Sequence, residues 1–186
     1  MDINARLGFH IKDLRESQHL SLGALSERSG VSRSNISLIE RGESSPTATV
    51  LDKLATALGL TLPSLFAAAQ HPDAASPVAR WADQPVWTDP QSGYRRRSVS
   101  PSGRWPLQLV GVMLPPGQRV AYETGQRDAD IHQQIWMIEG RLQVTLGEQS
   151  WVLETGDCLG MRLNQPTTFY NPTQSPSHYL VALVSR

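Results

Sequence analysis

The stretch from Ser21 to Gly42, SLGALSERSGVSRSNISLIERG, reads as two short helices joined by a tight turn. Ser21 stands before the apolar-periodic Leu22, Ala24 and Leu25, so its hydroxyl can accept from the orphan amides of a helix start. Gly30 ends that helix, at the position where a left-handed backbone costs least. Val31 plugs the turn and Ser32 caps the next helix. Ile36 and Ile39 give the second helix an inward face, with Leu38 beside it. Arg33, Ser34, Asn35, Ser37 and Arg41 are left facing outward. A helix, a glycine-containing turn and a helix with a polar outer face form the arrangement that enters a DNA major groove.

The flanks continue the helical pattern. Leu7, Ile11 and Leu14, at i, i+4 and i+7, predict a first helix over about Asn4 to Gln18. Leu22 to Ser29 and Arg33 to Arg41 are the second and third. A fourth begins at Pro46-Thr47, buries Val50, Leu51, Leu54, Ala57 and Leu58, and stops at Gly59. A fifth starts near Thr61-Leu62-Pro63, where a first-turn proline is tolerated, and runs to about Ala69. Residues 1–69 are thus expected to form a five-helix, all-α domain.

Residues 7–66 resemble the helix-turn-helix domain of the XRE family, the Cro/C1-type repressors. The features that carry the resemblance are the first-helix pattern, LSLGALSERSGVS, and ISLIERGESSPTATVLDKLATALGL. It implies that Ser32, Arg33, Ser34 and Asn35 lie where base edges are read, with Ser37 and Leu38 further along. Arg33 suits a bidentate contact to guanine, because a planar fork matches the O6/N7 pair. Ser21 and the amides behind it suit a phosphate, as do Arg41 and Ser44-Ser45 just after the third helix. The family also pairs an Arg in the first helix with a Glu at the end of the third; here these are Arg15 and Glu40, expected to clamp the two helices together.

The charge balance sets a condition on this reading. The chain is neutral overall, and its first 70 residues carry seven Lys/Arg against seven Asp/Glu. No global basic field draws in phosphate, so binding must come from local placement of Arg and amide donors, doubled by dimerisation. The lack of an 18-residue apolar run and of a signal-peptide pattern argues for a cytoplasmic protein with no membrane partner. One cysteine, Cys158, rules out an intramolecular disulfide and fits a reducing compartment.

Residues 70–79, QHPDAASPVA, shift abruptly to Pro, Ala, Ser and Asp and read as a linker. From 80 to 186 the chain has strand chemistry: YRRRSVSP, WPLQLVGVMLPPG, QRVAYE, IHQQIWMIEG, LQVTLG, QSWVLE, DCLGMRL, TTFYNP and HYLVALVS, each bounded by turn residues. Short strands at this spacing predict a sandwich or barrel. The second domain resembles a cupin barrel over about residues 95–184. Gly140, Gly156-Asp157 and Asn171 match the family's skeleton positions in IWMIEGRLQVTLG, WVLETGDCLGM and NQPTTFYN.

The family's metal ligands are not matched. Its first motif supplies two His and a Glu; the Glu position is Gln133, and the His positions fall near 126–129, where no His occurs. The last His position is Thr167. His132, next to Gln133, falls on the opposite strand face by alternation. The expectation is a cupin with no metal and no cofactor, and no enzymatic activity. Its barrel mouth is suited to a small-molecule effector. Arg119, Tyr122, Glu123, Gln133, Thr167 and Phe169 are the expected lining. Cys158, with no basic neighbour, is expected to be buried. Arg95-Arg96-Arg97 reads as a solvated strand edge that could touch flanking DNA.

Together these features describe a homodimeric, sequence-specific transcriptional regulator that binds an operator in double-stranded DNA, with repression favoured on family grounds. Two rivals stand beside it: a cupin enzyme, an isomerase or dioxygenase with a regulatory DNA-binding head, and a cupin tail that only dimerises.

Overall fold

The computed structural model describes residues 3–68, 76–103, 105–122 and 131–185. Its first part holds five helices: α1 (Ile3–Ser17), α2 (Leu22–Ser29), α3 (Arg33–Glu40), α4 (Ala48–Ala57) and α5 (Leu62–Ala68). Leu7, Ile11, Leu25, Ile36, Ile39, Leu51, Leu54 and Leu65 are fully buried and fill the space between them. No described helix is long and apolar enough to cross a membrane.

Two local features set the spacing of α1 and α3. Gly8 in α1 lies against the end of α3, where an added Cβ would stand 2.1 Å from the Ile39 carbonyl oxygen. Only glycine permits that approach. Arg15 then clamps the same pair: its Nε donates to Glu40 Oε1 at 2.7 Å and its Nη2 to Oε2 at 2.8 Å. A third donation, from Nη1 to the Leu20 carbonyl at 2.9 Å, completes the fork. Both residues are buried, so the hydrogen bonds act where water screens them least. Leu38 does not join Ile36 and Ile39 in the core; it is exposed on the outer side of α3.

The second part opens with a 3-10 turn (Trp81–Asp83) and ten strands among the described residues. These are β1 (Val86–Thr88), β2 (Arg95–Ser98), β3 (Leu107–Leu114), β4 (Arg119–Tyr122), β5 (Ile131–Glu139), β6 (Arg141–Leu146), β7 (Gln149–Glu154), β8 (Cys158–Arg162), β9 (Thr167–Tyr170) and β10 (Ser177–Ser185). They form a six-stranded sheet, β1-β2-β3-β10-β5-β8, and a four-stranded sheet, β4-β9-β6-β7. Every pairing is antiparallel. Alternation decides what each strand buries: on β5, Ile131, Gln133, Ile135 and Met137 point inward, while His132, Gln134, Trp136 and Ile138 point outward. Asn171, wholly buried, ties the turn after β9 to β3 by donating from Nδ2 to the Leu114, Pro115 and Ser175 carbonyls.

The helical head sits directly on this β structure, and the two share a contiguous apolar core. Trp87 on β1 is the wedge, 1% exposed. Its indole Nε1 donates to Asn4 Oδ1 at 3.2 Å. Its ring meets Phe66 of α5 edge-on at 5.5 Å and Tyr94 at 6.4 Å. Two residues on, Asp89 accepts the Ala48 amide at 2.8 Å through Oδ2, where the α4 dipole favours a carboxylate. Its Oδ1 takes the Gln91 and Ser92 amides. Thr49 Oγ1 adds a donation to the Ala121 carbonyl at 3.1 Å.

Candidate functional site

Two regions carry chemistry: the outer face of α3, and a cavity where the head meets the barrel. The first is set by side-chain caps. Ser21 Oγ accepts the Ala24 amide at 3.0 Å and begins α2. Gly30, at φ 67°, ends it in the left-handed region, its N–H donating to the Ser26 carbonyl. Ser32 Oγ accepts the Asn35 amide at 3.3 Å and begins α3. This turn leaves Ser32, Arg33 and Ser34 exposed at the start of α3, with Asn35 and Ser37 half-buried on its two flanks. Arg33, at the first position of the helix, is the longest donor on this face.

Arg41, just past α3, is exposed but engaged. It chelates Glu43 through two contacts of 2.9 Å and donates to the Ser37 hydroxyl. The hydrogen bonds from Arg41 hold the Glu43 carboxyl below its ordinary range, and Glu43 raises the guanidinium in turn. A phosphate contact by Arg41 therefore competes with an acid two residues away.

The second region is a cavity of about 50 Å³ lined by both parts of the chain. Asp52 of α4 and Leu62 and Pro63 of α5 form the head side. Tyr122, Gln133, Thr167 and Phe169 line it from the barrel, with Tyr94, Arg96 and Tyr179 beside them. Four of the six residues expected at a barrel mouth thus come together. Arg119 does not: it is exposed, and donates weakly to Thr168 Oγ1 at 3.4 Å. The reason is parity, since Arg119 and Tyr122 are separated by an odd step on β4 and face opposite ways. Glu123, like the 126–129 segment, lies outside the described residues.

Arg96 is the contributor that the charge-run reading missed. Far from being a solvated edge residue, it is 5% exposed, with its guanidinium 5.0 Å above the Phe66 ring. Arg97 turns the other way and stacks on Trp81 at 3.7 Å, and Arg95 is exposed. An inward Arg in the middle of three follows from strand alternation once Tyr94, also buried, fixes the phase. Burial pushes the Tyr122 and Tyr179 phenols well above their ordinary range, so both stay protonated donors at any physiological pH.

At the described positions where the cupin family would place metal ligands, the wall offers the Gln133 amide and the Thr167 hydroxyl. Neutral donors in an apolar surround do not suit a divalent cation, which needs imidazole or carboxylate. Among the described residues no three His, Cys, Asp or Glu side chains converge. His132 is exposed on the outer face. Cys158, expected to be buried, is exposed on the outer face of β8.

Residues 11–65 match the family model described as Helix-turn-helix (HTH_3). The head is an XRE-type helix-turn-helix domain. Over 165 residues the chain is 26% identical to the HTH-type transcriptional regulator PuuR of Escherichia coli K12, covering 88% of this chain and 86% of that protein. A crystal structure of an HTH_3 family transcriptional regulator from Vibrio cholerae superposes with a TM-score of 0.75 over 99% of this chain and 98% of that one, at 23% identity. A crystal structure of FeII HppE superposes with a TM-score of 0.50, covering 97% and 98% of the two chains at 18% identity. These likenesses show the fold, a helix-turn-helix head followed by a cupin-type barrel.

Proposed function

We propose that this protein is a DNA-binding transcriptional regulator that acts as a homodimer and responds to a small-molecule effector held in its barrel. The observation that carries the DNA-binding half is the face of α3. Its first residues are exposed, polar and held in place by a capped turn, which is what major-groove reading requires. The relatives named as transcriptional regulators support the same reading. Arg33 reads a base, and Ser32, Ser34, Asn35 and Ser37 complete the contact surface. Ser21 and Arg41 hold phosphates on either side. With no net basic charge to draw in DNA, two heads on a two-fold operator supply the affinity that one head lacks. The resemblance to XRE-type repressors favours repression.

The functional units in this reading are a head of residues 1–69, a linker of 70–79 and a barrel of 80–186. The cavity favours a sensor over a barrel that only dimerises, because its wall is built from both units. An occupant touches α4 and α5 as well as the strands, so binding shifts the balance between seatings of the head. Half-sites one helical turn apart then become easier or harder to span. An enzyme reading finds little support in the donor set at Gln133 and Thr167.

Arg33→Ala tests the assignment. It is expected to lower operator affinity by about 1–3 kcal/mol and to relax preference at one base position. A titration in which the variant keeps wild-type affinity and sequence preference refutes it.

A further inference from the structure

We propose that the cavity under the head binds a small monocarboxylate, whose carboxylate is received by Arg96 and Gln133 and whose body packs on Phe169, Val181 and Leu183. The proposal deepens the effector reading above and rests on it for its regulatory meaning, though not for the binding itself.

The two donors are what single out this site. Arg96 and Gln133 are 5% and 6% exposed, and both line the cavity. Arg96 Nε and Gln133 Nε2 are buried with no hydrogen-bond partner. Leaving a buried donor unpaired is costly, so two of them on residues that line one space mark a place where an acceptor belongs. The Phe66 ring beneath Arg96 attracts its charge but gives the N–H groups nothing to bond. A carboxylate does, and it pairs with a guanidinium in a fork.

The rest of the wall narrows the class. Arg96 is the cation among the described lining residues. Asp52, on the head side, already sets one negative charge in the same wall, so the site takes at most one more, at the Arg96 end. Phe169, Val181, Leu183 and Leu62 are apolar. A dianion such as phosphate would bring a second charge into a wall that cannot compensate it. A dicarboxylate would turn its other end toward Asp52 on the head side. On size, a water needs about 10–15 Å³ measured in this way, so the roughly 50 Å³ here takes a ligand of a few heavy atoms. A longer acid extends toward the head side of the wall, where Leu62 and Pro63 stand. Because those residues share α5 with Phe66, an acid anchored on Arg96 reports directly to the head.

The test is calorimetric titration of the full chain with propanoate, its neutral isostere propanamide, succinate and inorganic phosphate, alongside operator binding with and without propanoate. Propanoate is expected to bind saturably, with the other three at least about tenfold weaker. Arg96→Gln should lose about tenfold or more, and Gln133→Leu, a milder change to the fold, about threefold to tenfold. Equal binding of propanamide, no saturable binding of propanoate, or undiminished binding by Gln133→Leu together with Arg96→Gln overturns the ligand class, and intact operator binding in those cases leaves the DNA-binding reading standing. Propanoate binding that leaves operator affinity unchanged upholds the site and removes its regulatory meaning.

Discussion

Trp87→Ala is the sharpest perturbation of the head-on-barrel arrangement. Truncating a fully buried Trp costs about 3–5 kcal/mol in lost transfer and residual cavity. Here the loss falls near the top of that range. The indole also forfeits two edge-on ring contacts, with Phe66 and Tyr94, and its donation to Asn4. For a chain of this size about 5 kcal/mol corresponds to a fall in Tm of roughly 10–20 °C. More telling is where the loss falls. Two of those partners, Asn4 and Phe66, belong to the head, so the variant loosens the seating more than either unit. The assay is thermal unfolding followed by far-ultraviolet circular dichroism for the helices and by tryptophan fluorescence for the barrel. The Trp residues that remain all lie beyond residue 80 and report on the barrel alone. Wild-type protein should show coincident transitions, and Trp87→Ala should separate them, with the helical signal lost first. Coincident transitions in the variant with a fall of less than about 5 °C would refute the wedge role.

Three further outcomes follow from the same contacts. Glu40→Gln removes the buried counter-charge of the Arg15 clamp and should cost about 3 kcal/mol of stability in urea unfolding, because it leaves the buried Arg15 only the exposed Glu16 carboxylate, at 3.2 Å, as an ionic partner. Glu43→Gln frees Arg41, so operator binding should tighten and the slope of log affinity against log salt should steepen by up to about 0.9, one phosphate contact. His10 is held below its ordinary value of 6.5 by burial, with Asp13 opposing. The unfolded chain therefore binds the extra proton first, and stability present above pH 6.5 is lost as the pH falls toward the folded value. His10→Asn should flatten that part of the stability profile between pH 7.5 and 5.5.

The helical half was legible because its signals are local. Ser21 and Ser32 begin helices by accepting amides three residues on, and Gly30 ends one by donating to a carbonyl four residues back, so α2 begins and ends where its sequence predicts, and α3 differs only at Arg41. Strand phase was legible where apolar residues declared it, as on β5, where Gln133 falls inward and His132 outward. It was misread on β4, where Arg119 and Tyr122 were assigned to one wall despite opposite parity. The three arginines of β2 looked like a solvated run because charge masked the alternation that buries the middle one. β1 escaped notice because three residues, VWT, carry no period. The seating of the head was not legible at all, since Trp87 meets Asn4 and Phe66 across long stretches of chain and no local rule links them. Cys158 was assigned to the interior from its chemistry, whereas its place on the outer face of β8 is set by strand register.

The most direct test of the central claim is selection of full-length protein on a random pool of double-stranded DNA, followed by sequencing of the bound fraction. The account predicts enrichment of two-fold related half-sites with centres about one helical turn apart, 10–10.5 base pairs, and a relaxed base at one position per half-site when the selection is repeated with Arg33→Ala. Enrichment of no sequence, or the same sequence with the same stringency from Arg33→Ala, would contradict it.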